Sequence, residues 1–343
     1  MKSRSLLAGF TLGLVSWLGN SAIAQEIPSS APTAAETILV PGSGPIAPSM
    51  PSVVYESGTP YTIQSELNGT STDRSIFQSD HAFDGFITPI SNPVLSKDPR
   101  ANTFLRGLFI WNQIPNNHPL AGNAQIYAVQ ANLAITERFS LLAEKDGYAV
   151  IDAKNGSTTT EGWLSLNFGF KYALIRDVEN QFLFTVGSTI EVPTGAQDVL
   201  QNDHSGITTV FATVGKEFGD GFHFLNTTGY QFGFDSKQTS NFFYSSFHLD
   251  KQVAKYFYPL IEMNWFGYTG GGDNGLPLAI GEGDGLLNFG TTGMGGQNYL
   301  FGAVGLRVVP AQALQAGIAY EFPLSDQKGL LQNRLTCDLI IRY

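Results

Sequence analysis

Apolar and polar residues alternate one by one along most of the chain after residue 100. The stretch from 164 to 174 is a clear example: Leu164, Leu166, Phe168, Phe170, Tyr172 and Leu174 alternate with Ser165, Asn167, Gly169, Lys171 and Ala173. A period of two places successive side chains on opposite faces of a β-strand. The pattern therefore predicts strands with one apolar face and one face of small or polar residues.

The alternation recurs in twelve runs, which predicts about twelve strands. They cover 102–113, 124–136, 140–150, 162–175, 182–193, 207–218, 222–234, 242–250, 256–267, 297–309, 313–324 and 335–343. Each run is close to the ~9–11 residues that a tilted strand needs to cross a bilayer. Connections after even-numbered runs are short, and those after odd-numbered runs are longer. Short turns alternating with long loops are typical of bacterial outer-membrane barrels.

The composition of the two strand faces indicates which solvent each face meets. A soluble β-sandwich also alternates, but its outer faces usually carry many charged residues. Here the second face is mainly Gly, Ala, Ser, Thr, Asn and Gln, and the apolar face carries aromatic residues near the strand ends: Tyr172, Phe182, Phe234, Trp265, Tyr320 and Tyr343. Such aromatic girdles lie at membrane interfaces. We therefore predict an all-β fold, a single transmembrane antiparallel up-and-down β-barrel with an N-terminal extension, in preference to a periplasmic β-protein.

The amino-acid composition fits this interpretation. Only 14% of the 343 residues are charged, against roughly 25% in a typical soluble domain. Gly is abundant, with 38 copies, and 12% of the residues are aromatic. The net charge of −10 gives no broad attraction to nucleic acid, so no nucleic-acid partner is expected. The single cysteine, Cys337, excludes an intramolecular disulfide framework.

The N-terminal hundred residues divide into three parts by composition. Residues 1–24 combine a basic start, an apolar stretch and the small-x-small sequence Ala22-Ile23-Ala24, as in a cleaved secretory signal peptide. Residues 25–60 hold seven prolines, which predicts an extended linker. Residues 61–100 are mixed and predict a periplasmic or plug-like segment, followed by the barrel at 101–343.

The last strand carries a resemblance to a known class. Apolar residues occupy alternate positions from Leu335 to Ile341, and the chain ends on the aromatic Tyr343. This resembles the terminal strand of Gram-negative outer-membrane barrels, which implies recognition by the outer-membrane assembly machinery. Tyr343 stands where Phe is more usual. The sequence Ser91-Asn92-Pro93-Val94 followed by Asp98-Pro99-Arg100 is also similar to a family of transporter-like barrels associated with phenol and aromatic degradation.

Charged residues within the strands should point away from lipid. A Lys or Arg on the lipid face costs roughly 2–4 kcal/mol at the bilayer midplane. The candidates for lumen-facing residues are Lys171, Glu191, Asp250, Glu262, Arg307, Glu321, Asp338 and Arg342. The side-chain directions of Arg106 and Lys216 are ambiguous, because each residue occupies the same set of alternating positions as its apolar neighbours. The eight candidates have two interpretations: ion pairs that rigidify the barrel, or a solute preference with a mild bias towards cations.

No catalytic residue, cofactor or metal site is predicted. Ser246 and His248 share a face, but barrel phospholipases are similar only with the order reversed, His before Ser. His204 and Ser205 are adjacent in a loop, where neighbouring side chains do not face one another. The Gly- and Asp-rich sequences at 270–274 and 281–285 lack the regular repeat of calcium-binding nonapeptides. They favour a flexible loop, and calcium or partner binding by the 270–293 region stays open.

The sequence favours a channel or transporter in the bacterial outer membrane. Its expected partners are outer-membrane lipid, the assembly machinery and small solutes, with hydrophobic or aromatic molecules as candidate cargo. Twelve strands fall between the filled eight-stranded barrels and the open channels of sixteen or more strands, so a narrow pore is expected. One alternative is a structural or adhesive barrel that binds a partner through its external loops. A barrel hydrolase dependent on His248 is the other.

Overall fold

The computed structural model describes residues 75–154, 159–201, 205–326 and 329–343. The predicted signal peptide at 1–24, the linker at 25–60, residues 61–74 and His204 lie outside the described residues. The described ranges contain three one-turn 3-10 helices, His81–Phe83, Gln197–Val199 and Leu278–Ile280. Within the described ranges no helix has the length and apolar character needed to cross a membrane.

Thirteen strands form one antiparallel sheet in the described residues. They are β1 (Phe104–Ile114), β2 (Gly122–Ala134), β3 (Phe139–Ala153), β4 (Thr159–Trp163), β5 (Leu166–Asp177), β6 (Phe182–Val192), β7 (Ile207–Glu217), β8 (Phe222–Gly233), β9 (Asn241–Lys251), β10 (Phe257–Gly270), β11 (Asn298–Ala311), β12 (Leu314–Pro323) and β13 (Asn333–Arg342). Both β4 and β5 pair with β3, β4 along its second half and β5 along its first. They are two halves of one crossing, so the barrel has twelve strands, as predicted.

The sheet closes on itself between its first and last strands. Strand β1 pairs with β13 from Phe104 opposite Arg342 to Gln113 opposite Asn333, and with β2 on its other side. All other neighbours follow the chain order. Closure removes both free edges, which matters because the bilayer core has no water to satisfy unpaired backbone groups.

The two faces of the strands meet different surroundings. On β5, Leu166, Phe168 and Phe170 are 47%, 51% and 49% exposed on the outside, whereas Asn167 and Lys171 are buried. Leu164 departs from the predicted outer row, since it is only 6% exposed. The reason is the break between β4 and β5, which shifts the alternation at Leu164 and turns its side chain inward.

Loop lengths follow the predicted alternation. Each turn between β2 and β3, β5 and β6, β7 and β8, β9 and β10, and β11 and β12 is at most five residues long. The longest connection joins β10 to β11 through residues 271–297. It folds into the barrel interior, where Leu286 and Met294 pack in the same cluster as Phe266 and Phe301.

Residues 79–102, called the inner segment below, also lie inside the barrel. Asp80 caps the 3-10 turn at His81–Phe83, and nearly all residues from Phe86 to Asn102 are buried. Ser79 donates its backbone N–H to the carbonyl oxygen of the terminal Tyr343 at 2.9 Å. The inner segment therefore begins at the end of the barrel that carries the short turns.

Candidate functional site

A carboxylate on β10 holds the middle of the inner segment. The two oxygens of Glu262 accept the backbone N–H groups of Ile90 at 2.8 Å and Ser91 at 2.6 Å. The neighbouring Asn264 donates to Ser91 Oγ at 3.0 Å. Since hydrogen bonds to an ionised group are roughly twice as strong as neutral ones, Glu262 is a principal anchor of this segment.

Two arginines share one aspartate beside this anchor. Asp338 on β13 accepts from Arg307 Nη1 and Nη2 at 3.0 and 2.8 Å, and from Arg106 Nε at 2.8 Å. Other donors of the two arginines reach the inner segment: Arg307 Nε donates to the Thr88 carbonyl at 3.1 Å and Arg106 Nη2 to that of Pro89 at 2.8 Å. The cluster thus joins β1, β11 and β13 to the inner segment.

Gly317 on β12 provides the space for this arrangement. A Cβ atom at this position would lie 2.6 Å from Asp338 Oδ1 and 2.7 Å from Ile90 Cδ1. Both distances are far below ordinary van der Waals contact. Only glycine therefore allows the inner segment and the arginine–aspartate cluster to approach β12 this closely.

The Asp98-Pro99-Arg100 sequence forms a second anchor. Arg100 pairs with Asp98 at 2.6 Å and donates to the Phe86 carbonyl at 2.7 Å, which folds the inner segment back on itself. Lys171 on β5 donates to the Asp98 carbonyl at 2.6 Å. Thr185 on β6 donates to the carbonyl of Pro99 at 2.7 Å. The motif noted in the sequence is thus a contact point with the barrel wall.

Further contacts hold Lys97 and the short-turn end of the inner segment. Lys97 pairs with Glu144 at 3.1 Å, and its backbone N–H donates to Thr227 Oγ1 at 3.0 Å. At the short-turn end, Arg176 makes two 2.8 Å hydrogen bonds to Asp80, and Arg342 pairs with Asp84. The inner segment is therefore held along its whole length by polar side chains of the barrel.

Histidines and carboxylates alternate in a buried chain beside Glu262. His248 Nδ1 lies 2.6 Å from Glu262 Oε1, and its Nε2 lies 3.0 Å from Asp250 Oδ2. His223 Nδ1 lies 2.8 Å from the other oxygen of Asp250. Both ring nitrogens of His248 thus face carboxylates, which leaves neither for Ser246. Among the described residues, no three His, Cys, Asp or Glu side chains are arranged to hold a metal ion.

The half of the interior with the long loops combines an ion-pair cluster with aromatic rings. Arg334 pairs with Glu321 at 3.1 Å and with Asp284 of the 271–297 loop at 3.3 Å. Burial raises the pKa of Asp284 to about 8, against the opposing effect of Arg334. Buried rings surround this loop: Phe242, Tyr244, Phe266, Tyr268, Tyr299 and Phe301.

Glu282 anchors the 271–297 loop from within. Its carboxylate accepts from Ser240 Oγ at 2.6 Å and from the backbone N–H groups of Phe289 at 2.7 Å and Thr291 at 2.9 Å. Burial raises the pKa of Glu282. The Gly- and Asp-rich sequence at 281–285 is therefore an ordered part of the interior, which corrects the expectation of a flexible loop tip.

The eight candidate residues from the sequence all have buried positions in the barrel. Lys171, Glu262 and Arg307 contact the inner segment directly, and Arg342 does so at the short-turn end. Asp250 belongs to the histidine chain, Glu321 to the Arg334 cluster and Asp338 to the arginine pair. Glu191 pairs with Lys145 at 2.8 Å.

Several buried charges were missed or left ambiguous by the sequence. Arg106 points inward, and Leu108 and Ile110, which share its parity, point inward too. Ile110 belongs to the same buried cluster as Val94 and Leu95 of the inner segment, so the interior gives this side chain an apolar environment. Lys145, Arg334, Lys97 and Arg100 complete the network. The Asp98-Pro99-Arg100 sequence was the one signal that marked part of it.

Comparison with solved structures places the fold among outer-membrane β-barrels. Neither protein-family models nor curated proteins give a match to the chain. The COG4313 outer membrane channel from Pseudomonas putida F1 has a similar fold, with a TM-score of 0.52 and 12% identity over 75% of this chain and 100% of that one. The NanC porin gives a TM-score of 0.44 and 8% identity over 70% of this chain and 98% of that one. The first likeness, with the closed sheet and the apolar outer face, identifies an outer-membrane barrel fold.

Proposed function

We propose that this protein is an outer-membrane channel for small solutes whose lumen is gated by the inner segment. The observation that carries the proposal is the burial of residues 79–102 inside a closed barrel, against inward-pointing charges of the wall. A barrel that served only as a structural element could fill its interior with apolar side chains. Here the filling is a separate segment held by polar contacts, which can be released without unfolding the strands.

Aromatic or hydrophobic solutes are the proposed cargo. The half of the lumen next to the long loops is lined by the six buried rings around the 271–297 loop. Aromatic side chains bind flat apolar molecules through offset or edge-to-face contacts. The resemblance of the inner-segment motifs to barrels associated with phenol and aromatic degradation supports the same class of solute.

The buried charged side chains determine the ion selectivity that we expect of the channel. Counting the buried Asp, Glu, Lys and Arg side chains in the described ranges gives nine carboxylates and eight Lys or Arg groups. Most of them are paired, so the lumen is close to neutral. We therefore expect weak charge selectivity, weaker than the eight candidates alone would suggest.

Export by the 1–24 segment and assembly through the terminal strand ending at Tyr343 belong to the same proposal. In it, the short-turn end of the barrel, where the inner segment starts beside Tyr343, is the periplasmic end.

A planar-bilayer recording with a liposome uptake assay tests the proposal. Folded full-length protein should give small conductance steps and should admit phenol or toluene faster than protein-free liposomes do. Absence of both conductance and uptake, in a sample whose migration on a gel shifts on boiling, would contradict a channel. A matched sample lacking residues 79–100 should conduct more strongly.

A further inference from the structure

The lipid-facing wall of the barrel carries a groove of about 1030 Å³. It runs across β13, β1, β2 and β3 to the break between β4 and β5, and side chains on its outer side include Phe109, Tyr127, Val129, Trp163, Leu166 and Leu339. Gly107 leaves it open: a Cβ there would meet only the Leu339 carbonyl oxygen, 4.0 Å away. The groove is thus an apolar depression in the membrane-facing surface.

A carboxylate lies in this apolar groove. Leu339, Gly107, Val129 and Asp146 are successive cross-strand partners, so their side chains share one face of the sheet. Val129 and Leu339 are exposed on the lipid face, which places Asp146 on that face as well. Asp146 is the eighth of the fifteen residues of β3, close to the middle of the crossing.

Asp146 has no hydrogen-bond or ion-pair partner among the described residues. The adjacent Lys145 points to the opposite side of the wall, where it pairs with Glu191 at 2.8 Å. Charged groups on the lipid face destabilise a barrel, most strongly at the midplane. A lone carboxylate there is therefore expected to have a partner that comes from the membrane.

Aromatic rings flank the carboxylate on the long-loop side. The row next to Asp146 contains Phe109 and Tyr127, with ring centroids 5.3 Å apart, and Tyr148 and Trp163, with centroids 5.2 Å apart. Ring faces attract cations, and Trp does so most strongly. A carboxylate beside exposed rings is the combination that binds an ammonium group carried on an apolar body.

We propose that this groove binds a lipophilic amine from the membrane, with its ammonium group on Asp146 and its apolar body between Tyr127, Trp163 and Leu339. Binding here does not depend on passage through the barrel, so it can hold or fail independently of the channel function. The groove would concentrate such amphiphiles at the barrel surface.

Quenching of Trp163 fluorescence by nitroxide-labelled dodecylamine tests the site. Full-length protein in phosphatidylcholine nanodiscs is titrated with the amine and with the corresponding labelled alcohol and carboxylate, and Trp163→Phe gives the background from other tryptophans. The amine should reach half-maximal quenching at a concentration about tenfold lower than the alcohol, because hydrogen bonds to charged groups are the stronger ones.

Two variants and one matched control separate the contribution of the Asp146 carboxylate from that of the open groove. Asp146→Asn should raise the half-maximal amine concentration about tenfold, and Gly107→Leu should abolish saturable quenching by filling the groove. Asp152→Asn removes the same charge at an exposed position of the same strand and should change nothing. Heat-dependent gel migration verifies the folding of each variant.

Equal quenching by the three compounds, unaffected by Asp146→Asn, would show that the groove holds only a lipid acyl chain and would overturn the proposal. A response to the alcohol with the same dependence on Asp146 would overturn the assignment to amines.

Discussion

Glu262 and His248 lie side by side on neighbouring strands, with Oε1 of the carboxylate 2.6 Å from Nδ1 of the ring. The same carboxylate receives the backbone N–H groups of Ile90 and Ser91. One side chain therefore belongs both to the buried histidine chain and to the attachment of the inner segment. This double role makes Glu262 a position at which one substitution can loosen the inner segment.

Glu262→Gln should increase the conductance of the channel. The amide keeps one acceptor oxygen but turns an NH₂ group towards a backbone N–H, so one buried donor loses its partner at a cost of about 1–3 kcal/mol. The inner segment should then leave its closed position more often. Single-channel recordings should show a higher open fraction, with the strands still folded.

Glu179→Gln is the control for this variant, since it makes the same chemical change in the exposed turn between β5 and β6. It should leave the recordings unchanged. Equal open fractions for Glu262→Gln and the unmodified protein would contradict the anchoring role.

Asp338→Asn should destabilise the barrel rather than open the channel. Arg106 and Arg307 are buried and share this carboxylate. Removing its charge leaves two buried guanidinium groups without compensation, which typically costs about 3–5 kcal/mol. The variant should convert to the slowly migrating, unfolded band on gels at a lower temperature, whereas Asp152→Asn should not.

A companion triple variant separates the effect of unpaired charge from the effect of changed side-chain shape. Replacing Arg106, Arg307 and Asp338 together by Met should recover much of the stability, because no unpaired charge is left. If Asp338→Asn alone has no effect on the transition temperature, the cluster does not hold β1, β11 and β13 together.

The strands could be predicted from the sequence because lipid imposes one simple rule on each of them. Charged residues such as Lys171 and Glu262 had to point away from the membrane. The alternation of side chains along a strand then determined which face each neighbouring residue occupies. The rule failed where the interior of the barrel is apolar as well. Ile110 points inward into a cluster that includes Val94 and Leu95 of the inner segment, and Leu164 points inward because the pairing of β3 breaks there.

The partners of the candidate residues could not be predicted in the same way. The alternation of side chains places Asp338 inside the barrel, but only the fold brings Arg106 from β1 and Arg307 from β11 to its carboxylate. The long loop shows the same limit. Glu282 looked like part of a flexible Gly-rich tip, and its role as a buried anchor depends on Ser240, 42 residues away in the sequence.

The packing of the 271–297 loop inside the barrel should depend on pH through Asp284. Its pKa is raised to about 8 by burial, above the ordinary value of about 4. Between roughly pH 4 and pH 8, the loop binds more protons when it is packed inside the barrel than when it is released. The free energy that holds the loop inside therefore decreases as the pH rises. The raised pKa of Glu282 acts in the same direction.

Recordings at pH 6 and pH 9 check this dependence. The open fraction should increase with pH, and Asp284→Asn, which mimics the protonated form, should flatten the response. A steeper rise in the variant than in the unmodified protein would assign the effect to other groups.

Tyr268→Phe should distinguish phenolic from purely apolar cargo. The hydroxyl groups of Tyr244 and Tyr268 are buried, and neither has a hydrogen-bond partner in the described part of the chain. A solute with its own hydroxyl can satisfy such a group, whereas a hydrocarbon cannot. We therefore expect Tyr268→Phe to slow phenol uptake into liposomes several-fold and to leave toluene uptake unchanged.

Tyr230→Phe provides the matched control, because its hydroxyl pairs with Thr269 at 3.1 Å and is exposed. Uptake of both solutes should be normal in this variant. If Tyr268→Phe slows phenol and toluene to the same extent, the hydroxyl acts through the packing of the aromatic cluster, and recognition of the solute hydroxyl must lie elsewhere in the lumen.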